Sequence, residues 1–154
     1  MGCVWDLGKH DSMVQNLYEQ FPWTTLFVDG NHECFSGLDS YEVEIWNGGK
    51  VHFITNKIIH LMRGQIFTIN GINFFTMGGA TSIDKMYRKE NVSWWAREMP
   101  SDAEYAEAIE NLDNWYQSGN SIDVVLSHCA GKTAQWFINP GYENDELTDR
   151  KSVV

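Results

Sequence analysis

Gly30-Asn31-His32-Glu33 is the densest group of chemistry-bearing residues in this 154-residue chain. It follows the β-branched and aromatic run Thr24-Thr25-Leu26-Phe27-Val28-Asp29, which predicts a buried strand ending where open α/β sheets collect ligands. Asn31 offers a neutral amide oxygen to a metal, and His32 an imidazole able to give up a proton. The pair suits metal-assisted hydrolysis of a phosphate ester. The bland reading is a strand-ending turn, because Asp-Gly and Gly-Asn pairs tolerate positive φ. A turn, however, needs neither the histidine nor the glutamate that follows.

The placement recurs farther along. Ile122-Asp123-Val124-Val125-Leu126 reads as a second buried strand running straight into Ser127-His128. Before it lies the capping box Ser101-Asp102-Ala103-Glu104, opening a helix whose apolar stripe is Tyr105, Ile109, Leu112 and Trp115 or Tyr116. That helix is expected to end near Gly119.

The elements that must carry these residues follow from periodicity. Residues 11–21 space Val14, Leu17, Tyr18 and Phe21 as an amphipathic helix with Asp11 or Ser12 as N-cap, closed by Pro22. Short apolar runs at 51–54, 58–62, 65–69 and 72–77 predict antiparallel sheet, with a type I′ hairpin at Asn70-Gly71. His52 and His60 fall inside these strands and read as structural or half-exposed histidines rather than ligands. Gly78 and Gly79 then leave room for backbone to approach a phosphate, and Arg88 is placed to contact its oxygens. The competing reading is a flexible connection with Trp94 and Trp95 packed on the sheet.

Composition narrows the class. One domain of this length buries roughly two thirds of its unfolded surface, and 43% hydrophobic residues with seven tryptophans exclude disorder. No apolar run approaches the roughly 20 residues that span a membrane, and no signal peptide opens the chain, so the expected setting is cytoplasmic. A formal charge of -10 argues against duplex nucleic acid as partner. It also makes cations more necessary for holding phosphate. Cys3, Cys34 and Cys129 have neither disulfide-framework nor zinc-finger spacing; Cys34, two residues after His32, and Cys129, next to His128, either flank one site or are buried small hydrophobes.

Two strand-end histidines with Asn31 beside one of them resemble the calcineurin-like metallophosphoesterase family. Its pattern is Asp-x-His, Gly-Asp, Gly-Asn-His-Glu or Gly-Asn-His-Asp, a lone His after a strand, then Gly-His-x-His; this chain carries the third and fourth blocks. Trp46-Asn47-Gly48-Gly49-Lys50-Val51 and His60-Leu61-Met62-Arg63-Gly64-Gln65 are similar in texture to a bacterial branch of it. The resemblance implies an α/β (α+β) fold, a four-layer mixed β-sandwich flanked by helices and incomplete at both ends. It implies two divalent ions (Mn, Fe or Zn), with Asn31 and His128 as metal ligands. His32 would then act on the leaving oxygen, and Glu33 would hold His32. The implied substrate is a phosphoester, on a small molecule or a phosphoprotein.

Asp-x-His, Gly-Asp and Gly-His-x-His are absent from the sequence. On the branch's pattern Gly2-Cys3-Val4-Trp5-Asp6 would follow a bridging aspartate directly. Tyr142-Glu143-Asn144-Asp145-Glu146-Leu147-Thr148 likewise looks like the approach to a helix before the last block. The expectation is therefore the middle of a larger enzyme, nearly inactive alone. The alternative is a non-catalytic module whose aromatic side chains, 14% of the chain, stack on a sugar or a partner, or a decayed remnant.

Overall fold

The structure is a computed structural model and describes residues 8–130. The motifs at residues 2–6 and 142–148, and Cys3, lie outside the described residues.

Helix α1 (Lys9–Glu19) is capped by Gly8, not by Asp11 or Ser12. Asp11 is instead buried within it, and Val14 and Tyr18 face the core while Leu17 stays exposed. Strand β1 (Thr25–Phe27) follows, then the single-turn helix α2 (Phe35–Leu38). Strands β2 (Val43–Trp46), β3 (Gly49–Thr55) and β4 (Ile58–Leu61) complete a sheet of order β1-β4-β3-β2, in which β1 pairs parallel with β4 and the rest pair antiparallel. The expected hairpin is β5 (Ile66–Ile69) and β6 (Ile72–Met77), with φ 52 at Asn70 and φ 80 at Gly71, as a type I′ turn requires.

The apolar runs pair antiparallel as expected but divide between two sheets. β5 and β6 form a second sheet, order β5-β6-β7, with β7 (Val124–Ser127) parallel to β6. The division falls at Gly64, whose φ of +70 turns the chain where a Cβ would come 2.8 Å from Ala108. Helix α3 (Asp102–Gln117) supplies that alanine, and its capping box is formed in full by Ser101 and Glu104. Tyr105, Ala108 and Leu112 form its buried stripe, joined by Trp115. Ile109 and Tyr116 are exposed, because α3 covers the small sheet with a narrow face.

Val51, Ile59, Leu61 and Phe67 form a core cluster between the two sheets. Phe27, Ile54 and Ile58 pack with α1 and α2, and Ile66, Phe75 and Met77 pack with α3. The chain is thus mixed α and β, with two small mixed sheets and few helices. Contrary to the sequence reading, β7 is not buried: Val124 and Val125 are 40% and 64% exposed. Among the described residues it is the edge strand of a three-stranded sheet, so its apolar run signals strand pairing rather than coverage on both faces.

Candidate functional site

The parallel pairing of β1 with β4 ends at Phe27 opposite His60, and the chain leaves the sheet at Asp29. Neither Gly30 nor Asn31 has positive φ, so left-handed backbone is not what selects this glycine. Space is: a Cβ on Gly30 would lie 2.8 Å from Cε1 of His128. The bare backbone lets the imidazole rest against it.

β7 brings that imidazole from the other sheet. His128 Nε2 lies 3.2 Å from Asn31 Oδ1, across 97 residues of sequence. The Asn31 amide in turn donates from Nδ2 to Ser82 Oγ at 3.1 Å. Asn31 is half-buried and His128 exposed, leaving the pair open on one side. Ligands of a zinc-like ion each stand roughly 2.0–2.2 Å from it, so a nitrogen and an oxygen 3.2 Å apart can serve one cation together. An amide oxygen and an imidazole nitrogen are donors that suit a divalent cation. Among the described residues no group of three or more His, Cys, Asp or Glu is placed to hold a metal.

His32 lies beside this pair, its side chain 53% exposed. Arg88 Nη1 donates to His32 Nε2 at 3.2 Å. A guanidinium has no lone pair to offer, so in this arrangement Nε2 is the acceptor and the neutral ring carries its proton on Nδ1. Asp84 Oδ1 stands 3.4 Å from Arg88 Nη1 and 3.9 Å from His32 Nε2. Arg88, 10% exposed in its side chain, also donates to Ser82 Oγ and to the Ser93 carbonyl. Glu33 is buried at 1% exposure, and burial pushes its carboxyl up from the ordinary value, with the Asp29 charge adding to the effect.

Gly78 and Gly79 answer to Asp29. A Cβ at Gly78 would overlap the Asp29 carboxylate, and Gly79, at φ +83, donates its N–H to the Asp29 carbonyl at 2.9 Å. The pair therefore ties the loop after β6 to the segment bearing Asn31. Trp95 is buried beside Cys34 and Phe35, while the Lys85 ammonium sits over the Trp94 ring. Cys129 packs in the cluster under α3, so Cys34 and Cys129 belong to different clusters. Neither is in a disulfide.

Below the open site lies a charged group that sequence reasoning missed. Asp29 accepts from Arg63 Nε at 2.9 Å and Nη2 at 2.5 Å, and its Oδ1 lies 3.2 Å from His60 Nε2. Burial alone would raise its carboxyl; the His60 hydrogen bond and the Arg63 charge overcome that and hold it well below the usual range. β3 and β4 pair in a register that sets His52 opposite His60, with their Nδ1 atoms 3.2 Å apart. Both histidines are buried, not half-exposed. Burial, then the neighbouring His60 and Arg97 charges, bring His52 down to about 4. Arg63 also donates to the backbone carbonyls of Arg97 and Glu98.

No family model, curated protein or solved structure matches the chain.

Proposed function

We propose that Asn31, His32 and His128 are part of a metal-dependent phosphoesterase centre, of which this chain supplies one half. The carrying observation is the approach of Asn31 Oδ1 to His128 Nε2 at 3.2 Å, made by the ends of strands in two different sheets. Two helix-covered sheets packed face to face support the four-layer metallophosphoesterase-like architecture that goes with this reading. Asn31 and His128 would hold a divalent cation. When bound, the ions of such a centre neutralise phosphoryl oxygens and lower the pKa of the attacking water.

The remaining chemistry belongs to this chain's own groups. Arg88 brings a fixed positive charge beside His32, where the negative charge of a phosphoester would be met. His32, exposed and next to Asn31 in the chain, would act on the leaving oxygen. Ser82 and Asp84 hold Arg88 in place. A phosphoester of a small molecule or a phosphoprotein is the proposed substrate class.

Substoichiometric Mn²⁺ added to the chain is expected to broaden the Asn31 side-chain amide and His128 ring signals before any others in an NMR spectrum. His128→Ala should abolish the broadening at Asn31. Uniform broadening, or selective broadening that persists in His128→Ala, would overturn the assignment. Hydrolysis of an activated phosphodiester by this chain alone should remain near background, because the sequence carries only two of the family's ligand blocks.

A further inference from the structure

We propose that Glu98, acting through Ser82, sets which way the Asn31 side-chain amide faces and is thereby a positioning residue for the Asn31–His128 pair. The identification of that pair as metal ligands rests on the function proposed above; the hydrogen-bond chain that orients it does not. Glu98 is fully buried, at 0% exposure, and Ser82 is 2% exposed. Glu98 Oε1 accepts from the Ser82 backbone N–H at 2.9 Å and from the Lys85 ammonium at 2.9 Å. Glu98 Oε2 accepts from the Ser82 hydroxyl at 2.7 Å.

A serine hydroxyl has one proton and two acceptor sites. The carboxylate, which can only accept, draws that proton to itself; the Asn31 carbonyl at 3.5 Å is the weaker competitor. Both remaining sites on Ser82 Oγ must then receive protons. Arg88 Nη1 fills one at 3.1 Å, and Asn31 Nδ2 the other at 3.1 Å. With its NH2 committed to Ser82, Asn31 has only its oxygen to turn toward His128, and His128 Nε2 donates to it at 3.2 Å in the metal-free chain; a cation between the two would take the place of that proton, leaving the ring protonated on Nδ1. The buried charge thus dictates the polarity of three successive hydrogen bonds ending at the open site.

Glu98→Gln reverses that polarity without changing volume. The buried Ser82 N–H still demands an acceptor at the Oε1 position, so the new NH2 group must face Ser82 Oγ. Two donors, the new NH2 and Arg88 Nη1, then occupy the hydroxyl's acceptor sites, and its proton turns to the Asn31 side chain, which at 3.1 Å is nearer than the Asn31 backbone carbonyl at 3.5 Å. The Asn31 amide flips, presents NH2 to His128, and forces His128 Nε2 to accept. Lys85, 35% exposed, can reach water, so the substitution leaves the fold intact.

The test is the ring tautomer of His128, read from its ¹⁵N shifts in the metal-free protein. Wild type should carry the proton on Nε2 and Glu98→Gln on Nδ1, with Mn²⁺ affinity falling ten- to a hundredfold, as loss of a group supporting a ligand typically causes. Ser82→Ala, which removes the hub, should instead release the Asn31 amide protons to faster exchange with water. An unchanged His128 tautomer in folded Glu98→Gln, or unchanged Asn31 exchange in Ser82→Ala, overturns the proposal. A tautomer switch without selective Mn²⁺ broadening in wild type upholds the positioning role and removes only the metal reading. A structural role alone would move stability and leave the tautomer where it was.

Discussion

Asp29 and Asn31 stand two residues apart at the end of the same strand, and the chain treats them in opposite ways. Asp29 is 1% exposed and saturated: two guanidinium bonds, a histidine, and a glycine pair packed against it. Asn31 is neutral, half-buried and held by a serine on one side and a histidine on the other. Full ionic charge is kept where every valence can be paired, and an uncharged, rotatable donor is placed where a ligand could arrive. A buried ion pair adds little net stability over an apolar replacement, yet breaking one partner is costly. The inner group therefore fixes the fold, and the outer one can be changed without losing it.

The inner group depends most on Arg63. Arg63→Met leaves the Asp29 carboxylate buried without its main counter-charge and frees the Arg97 and Glu98 carbonyls. It should cost about 3–5 kcal/mol in urea unfolding. A loss under about 1 kcal/mol would mean that the inner group is as dispensable as the outer.

The next effect is one of pH. His52 in the folded chain titrates at about 4, below its ordinary 6.5. Between those values the unfolded chain binds more protons, so stability from this residue is fully present above pH 6.5 and is lost as pH falls toward 4. The span is worth roughly 2–3 kcal/mol, and His52→Gln should flatten it. Glu33 tilts in the opposite direction, since its raised carboxyl favours the folded chain when protonated and loses that contribution as pH rises through its folded value. Urea midpoints across this range, in both proteins, separate the two slopes.

Gly30→Ala disturbs the outer group alone. The new Cβ would come nearest to the flexible ring of His128, so stability should fall by less than about 1 kcal/mol. Selective Mn²⁺ broadening at His128 should nonetheless disappear, because the ring must leave Asn31. A folded Gly30→Ala chain that keeps the broadening would show that the ring does not need the bare backbone.

What the sequence disclosed divides along the same boundary. The capping box at Ser101 and the turn at Asn70-Gly71 were legible because their physics is local, a few residues satisfying one another's backbone. Strand-end chemistry marked Asn31 and His128 one at a time; that they belong together came only from the resemblance of the motif blocks, and the geometry that joins them from neither. The inner group left no sequence signal: Arg63 reaches Asp29 across 34 positions, and His52 meets His60 only because β3 and β4 adopt one register. Ser82 and Glu98 were invisible for the same reason. The division of the apolar runs into two sheets hung on Gly64, whose turn is set by the approach of α3 and not by its immediate neighbours. β7 was misjudged because an apolar run specifies a strand, not what lies on its outer face.

The two sheets meet at the open site through one residue from each, which makes the gap between Asn31 and His128 a seam of the whole molecule. Anything that bridges the seam grips both halves, and the unfolded chain, with these residues 97 positions apart, offers no equivalent grip. Occupancy then registers as heat resistance: a ligand present at a hundred times its dissociation constant would add about 2.7 kcal/mol. The melting curve of the protein is accordingly a gauge of what fits there, readable with no turnover and no knowledge of the natural substrate.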